Sequence, residues 1–319
     1  MQAMQASELA LIRNLFNCGK RFNYEIMVCK IIIGICLIIF SIGFASAATL
    51  NVGQGQTYAT IQSAINAAKT GDIISVAEGT YSENLVVKMN GISIIGNNKE
   101  KTIIDGKKTG SVIKIDGANN VKVSGFTVQS SGGSGQSDGG ISLFSANNNI
   151  IANMLIVNNI MGVTIYSGSN NNIVSGNDIK SSGKYGIFIF SSNDNKIYNN
   201  NIQSNKIGIY CDSAHTNHIY SNNLIDNNDQ AYDNSGLNSW DDGKSGNYWS
   251  PNKGILGGKA KDNYPLSSAV TIKYEDISAP AEQNTQGTAP GGNGKPSPGF
   301  AGFAVLVSLI AIGILSKKK

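Results

Sequence analysis

The sequence predicts an all-β fold, a parallel β-helix closed at its start by a short helix. Three observations point there. Between Asn147 and Asp233 the chain repeats: Ile150-Ile-Ala-Asn153, Val174-Ser-Gly-Asn177, Ile197-Tyr-Asn-Asn200 and Ile219-Tyr-Ser-Asn222 begin 24, 23 and 22 residues apart. A fixed period in the low twenties marks a stacked repeat. Within it, Gly162-Val-Thr-Ile165, Gly186-Ile-Phe-Ile189 and Gly208-Ile-Tyr-Cys211 alternate about a period of two, as strands do. Third, Asn, Ser and Gly, which accept tight turns, separate these runs.

Alternation fixes the facing of each side chain. Val163/Ile165, Ile187/Ile189 and Ile209/Cys211 point inward, and Thr164, Phe188 and Tyr210 point out. One coil cannot bury its inward set, but stacked coils form a continuous apolar column. Each such side chain contributes roughly 1.5–3 kcal/mol. The column Asn153, Asn177, Asn200, Asn222 falls where the chain turns, and stacked turn amides would bond as a ladder.

Taken from the start, Lys30, the apolar run Ile31 to Phe44 and Ala45-Ser-Ala47 form the three parts of a secretory signal, with scission expected between Ala47 and Ala48. The polar preface 1–26 suggests a start at Met27, so 1–47 is read as extension plus signal and 48–272 as the β-helix with its C-terminal cap. Ile61, Ala64, Ile65 and Ala68 recur at helical spacing after Thr60, giving a helix that covers the open first coil. Asp72–Val76, Glu78–Tyr81, Asn84–Val87 and Gly91–Gly96 then read as strands. The Ser/Gly-rich stretch 130–138 reads as a loop leaving the wall.

Tyr58-Ala-Thr-Ile-Gln62, Gly71-Asp72, Gly79-Thr-Tyr81 and Glu83-Asn84 resemble the opening of right-handed β-helix proteins of the pectin-lyase-like superfamily. Among these the sequence is most similar to the family named after the periplasmic copper-binding protein NosD. The resemblance implies right-handed winding and spans about residues 55–268. Trp240-Asp-Asp-Gly243, Gly246-Asn-Tyr-Trp-Ser250 and Asp262-Asn-Tyr-Pro-Leu266 resemble that family's closing segment, with Trp240, Tyr248 and Trp249 capping the last coil. Family members commonly carry an Asp-rich loop suited to calcium here. Pro251–Lys259 has no acidic residue, so no calcium site is carried over.

From about Ile277 to Ser297 the chain is rich in Pro, Gly, Gln, Thr and Asn without apolar periodicity, and 273–297 is read as a disordered linker. Residues 298–319 hold Pro298-Gly299-Phe300, an apolar run and three lysines. This tail resembles the PGF-type sorting signal of archaeal surface proteins, which implies removal by an archaeosortase and replacement by a lipid anchor; a retained membrane anchor is the other reading. Either places the β-helix outside the cell, tethered.

The net charge of +4 comes from the ends: without the four basic and two acidic residues of 1–47 and the three terminal lysines, 18 basic residues face 19 acidic ones. Nucleic acid is therefore not an expected partner. Cys211 is the one cysteine beyond the leader, so no internal disulfide is expected. Cys211, His215 and His218 suggest copper or zinc, as does the family name. Yet Cys211 takes the inward position of Ile165 and Ile189, and no metal ligand is assigned. Asp178, Asp194, Asp212 and Asp226 fall at different repeat positions, unlike the paired acids of glycoside hydrolysis, so no catalytic residue is assigned.

Outward aromatic residues give the candidate ligand site. Phe188 and Tyr210 occupy equivalent positions on successive coils, and Phe144, Tyr166 and Phe190 share the column two residues on. Rings spaced by about 4.8 Å would stack against sugars, unless the 130–138 loop or the 240–266 segment covers them. The expectation is a binding or structural envelope protein contacting surface glycans or neighbouring proteins. A carbohydrate-active enzyme and a copper-handling protein are the alternatives.

Overall fold

The computed structural model describes residues 47–133, 135, 137–251 and 254–273. The leader 1–46 with Met27, the linker beyond 273 and the tail with Pro298-Gly299-Phe300 lie outside the described residues. Among the described residues no helix is long and apolar enough to cross a membrane.

The described residues form three eight-stranded parallel sheets in which strands pair with the third strand before and after them, except at the ends. There Thr49–Val52 pairs with the very next strand, Ile73–Val76, and Tyr248–Ser250 and Ile255–Gly257 pair with the second strand before them. Sheet 1 runs from Thr49–Val52 to His218–Tyr220, sheet 2 from Gly79–Tyr81 to Tyr248–Ser250, and sheet 3 from Leu85–Val87 to Ile255–Gly257. That order is a parallel β-solenoid. The predicted inward residues Val163/Ile165, Ile187/Ile189 and Ile209/Cys211 are all fully buried on sheet 3, and Val123, Ile151, Val174, Ile197 and Ile219 line sheet 1 in register, also fully buried. The glycine opening each Gly-apolar-x-apolar run has a packing cause: a Cβ on Gly162, Gly186 or Gly208 would collide with the carbonyl oxygen of Gly186, Gly208 or Gln230 on the next coil.

The amide ladder exists but begins later than the sequence alignment predicts. Ile150 pairs with Ile173, so Ile151 is the equivalent of Val174 and Met154 takes the ladder position. Asn153 instead stands in the left-handed turn position before it (φ 50°). The ladder runs Asn177, Asn200, Asn222, Asn247: each Oδ1 accepts the preceding residue's backbone N–H at 3.0–3.1 Å, starting from Met154 N–H. Each Nδ2 donates to a carbonyl of the previous coil, as Asn200 does to Val174 at 2.8 Å. A second ladder, Asn149, Asn172, Asn195, Asn217, Asn238, stands at the turn between sheets 3 and 1. Asn149 is therefore buried and aligned with Asn217, not with the exposed His218.

The predicted helix, α1 (Ile61–Ala67), is capped by Thr60 and receives the Glu83 carboxylate at the N–H groups of Ile61 (2.9 Å) and Gln62 (3.0 Å). Its Gln62 amide pairs with the Val86 backbone in both directions, at 2.8 and 3.2 Å, and so occupies the edge of sheet 3 as a strand would. At the other end Asp233, fully buried in the column of Cys211, accepts from Trp240 Nε1 (3.0 Å), Asn238 (3.1 Å), Ser235 and Gly236. Trp240 is fully buried and packs 5.9 Å from Trp249, as the capping role requires. The chain then doubles back over the wall. Asn223 exchanges two hydrogen bonds with the backbone of Val270 (2.8 and 2.9 Å), and Asn199 exchanges two with Lys273.

Candidate functional site

Register on sheet 3 brings the predicted aromatic residues together as two outward columns. One runs Ser142, Thr164, Phe188, Tyr210, Tyr232, and the other Phe144, Tyr166, Phe190, Asp212. Phe188 and Tyr210 lie 5.5 Å apart and 12° from parallel, and Phe190 lies 6.0 Å from Phe188 at 22°. Phe144 and Tyr166 are 5.1 Å apart but tilted by 48°, so the flat part of the strip is its later half.

Tyr166, Phe188, Phe190 and Tyr210 line one groove of about 490 Å3. Phe144 does not line it; the Lys114 ammonium lies 5.0 Å from its ring centre instead. The 130–138 loop covers only the polar start of the strip. Its Ser137 carbonyl accepts from Ser142 and Thr164, both at 3.0 Å, and those two side chains are fully buried. Ser137 is then a wall of the groove, while Phe188 stays half-buried and Phe190 is 39% exposed.

Tyr185, which pattern reading missed, completes the floor: its ring centre is 5.0 Å from those of both Phe188 and Tyr210. Met161 and Ile207 hold its position on neighbouring coils, so no aromatic repeat announced it. Lys184 and Asp212 add one charge of each sign to the lining. Burial, with the nearby Asp212 charge, raises the hydroxyl pKa of Tyr185 and Tyr210. Both remain neutral hydrogen-bonding groups at ordinary pH.

The other candidate groups are not gathered here. Cys211 faces the core, while His218 is exposed on sheet 1 and His215 is half-buried in the preceding turn. No group of three or more His, Cys, Asp or Glu that could hold a metal ion occurs among the described residues. Asp178 lies on sheet 2 with Lys99 at 3.1 Å, and Asp194 and Asp226 hold left-handed turn positions. Only Asp212 reaches the groove.

Residues 49–254 match the family described as periplasmic copper-binding protein (NosD). No curated protein matches the sequence. Among solved structures, the periplasmic alginate epimerase AlgG is 15% identical over 65% of this chain and 43% of its own, with a TM-score of 0.44. The chain thus spans less than half of that epimerase. An alginate lyase from Paenibacillus sp. str. FPU-7 is 15% identical, with 70% and 99% covered and a TM-score of 0.42. The pectin methylesterase from carrot is 12% identical, with 72% and 89% covered and a TM-score of 0.40.

Proposed function

The chain belongs to the NosD family, and from that premise we propose that it works outside the cytoplasm, as a tethered β-solenoid that binds surface glycans. The observation that supports this most is the open groove floored by Tyr185, Phe188, Phe190 and Tyr210. A flat ring strip takes the apolar face of a sugar, while the two neutral phenols, Asp212 and Lys184 offer hydrogen bonds to its hydroxyl groups. One cation and one carboxylate leave no net positive charge to hold a repeating uronate, so the class favoured is neutral glycan. Export is supported by Ala47 and Ala48, both exposed immediately before the first strand. The Pro298-Gly299-Phe300 tail supports anchoring.

The family description also raises copper. The donors do not fit a copper site in this chain: the one described thiol faces the core, and the two imidazoles stand on the outer wall without a converging third ligand. Copper titration of wild type against His215→Ala/His218→Ala should give equal uptake; a lost stoichiometric site in the variant would restore the copper-handling reading.

The direct test presents the purified chain from Ala48 onward to immobilised neutral and uronate glycans, scoring retention and product mass together. Retention on neutral glycan without cleavage, lost in Phe188→Ala/Tyr210→Ala with an unchanged melting curve, is the expected result. Retention that survives this double substitution, or new cleavage products, would overturn the binding role.

A further inference from the structure

The groove on sheet 3 is bounded at both ends. Its ring floor covers three coils: Tyr166 on the first, Phe188 and Phe190 on the second, and Tyr210 on the third. Two strand spacings separate the first coil from the third, about 10 Å. Beyond each limit the wall changes character.

At the first limit stands Ser137, anchored from beneath. Its carbonyl oxygen accepts from the Ser142 and Thr164 hydroxyls, both at 3.0 Å, and both side chains are fully buried. Ser142 Oγ also lies 2.7 Å from Ser111 Oγ, so the anchor reaches toward the preceding coil. At the second limit Tyr232 stands edge-on to Tyr210, 5.1 Å away and 69° from parallel. Gly257 of the following coil packs so close to this ring that a Cβ there would meet it at 2.7 Å, which holds the ring upright. Beside it, Asp212 takes the place after Phe190 where the next ring of that column would lie. Its Oδ1 accepts from Asn234 at 2.7 Å and from Ser213 at 3.1 Å, so the carboxylate is held in position.

These limits narrow the occupant. Each residue of an extended glycan is roughly as long as one strand spacing, about 5 Å, so the floor seats two sugar residues. A residue inside a straight polymer is linked on both sides. A polymer lying along the strip would have to pass Ser137 at one limit and the upright Tyr232 at the other. A chain that ends in the groove rises from the wall only once. Its last residue carries a free hydroxyl where an inner residue carries a glycosidic link, and the held Asp212 carboxylate accepts from a hydroxyl but not from a link. The rings below take the C–H face of either.

We propose that this groove recognises the last two residues of a neutral glycan, at a chain end or the tip of a side branch, and not the interior of a straight polymer. This rests on the reading that the sheet 3 groove binds neutral glycan, and the test separates the two.

The chain from Ala48 is titrated calorimetrically with neutral β-glucan and β-galactan oligosaccharides of one to six residues. Its binding capacity is then measured on the parent polymers before and after partial hydrolysis. Affinity should rise from one residue to two and stay within about twofold from there to six. Hydrolysis at constant mass should raise the amount of protein bound in proportion to the chain ends made. Both signals should be lost in Phe188→Ala; should that variant melt below wild type, Phe190→Ala at the exposed edge takes its place. Affinity that climbs steadily to six residues, or capacity unmoved by hydrolysis, with binding still lost in the variant, would overturn recognition of ends and leave the groove standing. Binding that survives in the variant, or no binding by wild type, would overturn the groove and this proposal with it.

Discussion

Substituting Asn200 by Ala tests whether the buried ladder, and not turn geometry, holds the coils in register. Asn200 is fully buried, and its Oδ1 accepts the backbone N–H (3.0 Å) and side-chain amide (3.0 Å) of Asn177. Its Nδ2 donates to the carbonyls of Val174 (2.8 Å) and Tyr198 (2.9 Å). Alanine leaves the Asn177 N–H buried without its acceptor, a cost of about 1–3 kcal/mol, and removes further bonds worth about 1 kcal/mol each. The sum is a loss of about 4–6 kcal/mol, on the order of 10–20 °C in Tm. The control is Asn153→Gly. Asn153 lies one residue before the ladder position with φ 50°, a conformation glycine adopts freely, so stability should stay within about 1 kcal/mol of wild type. Urea unfolding followed by far-ultraviolet circular dichroism reads both. Similar losses for the two variants, or a loss below about 1 kcal/mol for Asn200→Ala, would refute the ladder account.

Other expectations follow from single contacts. Asp72 is nearly buried and accepts the N–H of Ala48 at 2.9 Å and of Lys69 at 2.8 Å. If scission frees an ammonium at Ala48, Asp72→Asn should destabilise a chain starting at Ala48 by about 1.5–3 kcal/mol. A chain with residues added ahead of Ala48 should lose less, as paired urea titrations would show. Burial first, and the Asp233 charge second, push the Cys211 thiol well above its ordinary 9.0. A thiol reagent at pH 8 should therefore be silent on the native chain and react after unfolding. Because the folded value is the higher one, the thiol's contribution is full below its unfolded pKa and is lost as pH rises through the folded one, which an alkaline melting series would detect. Gly208→Ala should cost several kcal/mol by thermal melting, since its Cβ would strike the Gln230 carbonyl.

The solenoid is legible because its inward residues are mostly Ile, Val or Leu, so a period of two survives until the last coil, where Ala231 and Asp233 take the inward positions. Where two apolar residues adjoin, as at Ile150-Ile151, the pattern loses its phase. Alignment on Ile150 therefore sets the first of the four repeats one residue out and makes Asn153 the rung where the structure has Met154. The second ladder stayed hidden because Asn170-Asn-Asn172 offers three amides for one position. The ring strip was legible as a column, but its limits were not. The cover over Ser142 and Thr164 depends on a loop carbonyl, and Tyr185 joins through an approach between columns that no spacing encodes. Nor could sequence reveal that Asn199 and Asn223 grip residues 74 and 47 positions away.

That grip has a mechanical consequence. A pull applied at Lys273 meets the Asn199 bonds first, then those of Asn223, and then the backbone bond from Leu266 to Asn247 at 2.9 Å. These lie in sequence along the strap, so a pull loads them one after another, like a zipper, and not all at once. Each step lengthens the strap and dissipates work before tension reaches the coils. The residues from 266 to 273 thus release one contact at a time before a pull at Lys273 loads the stacked strands.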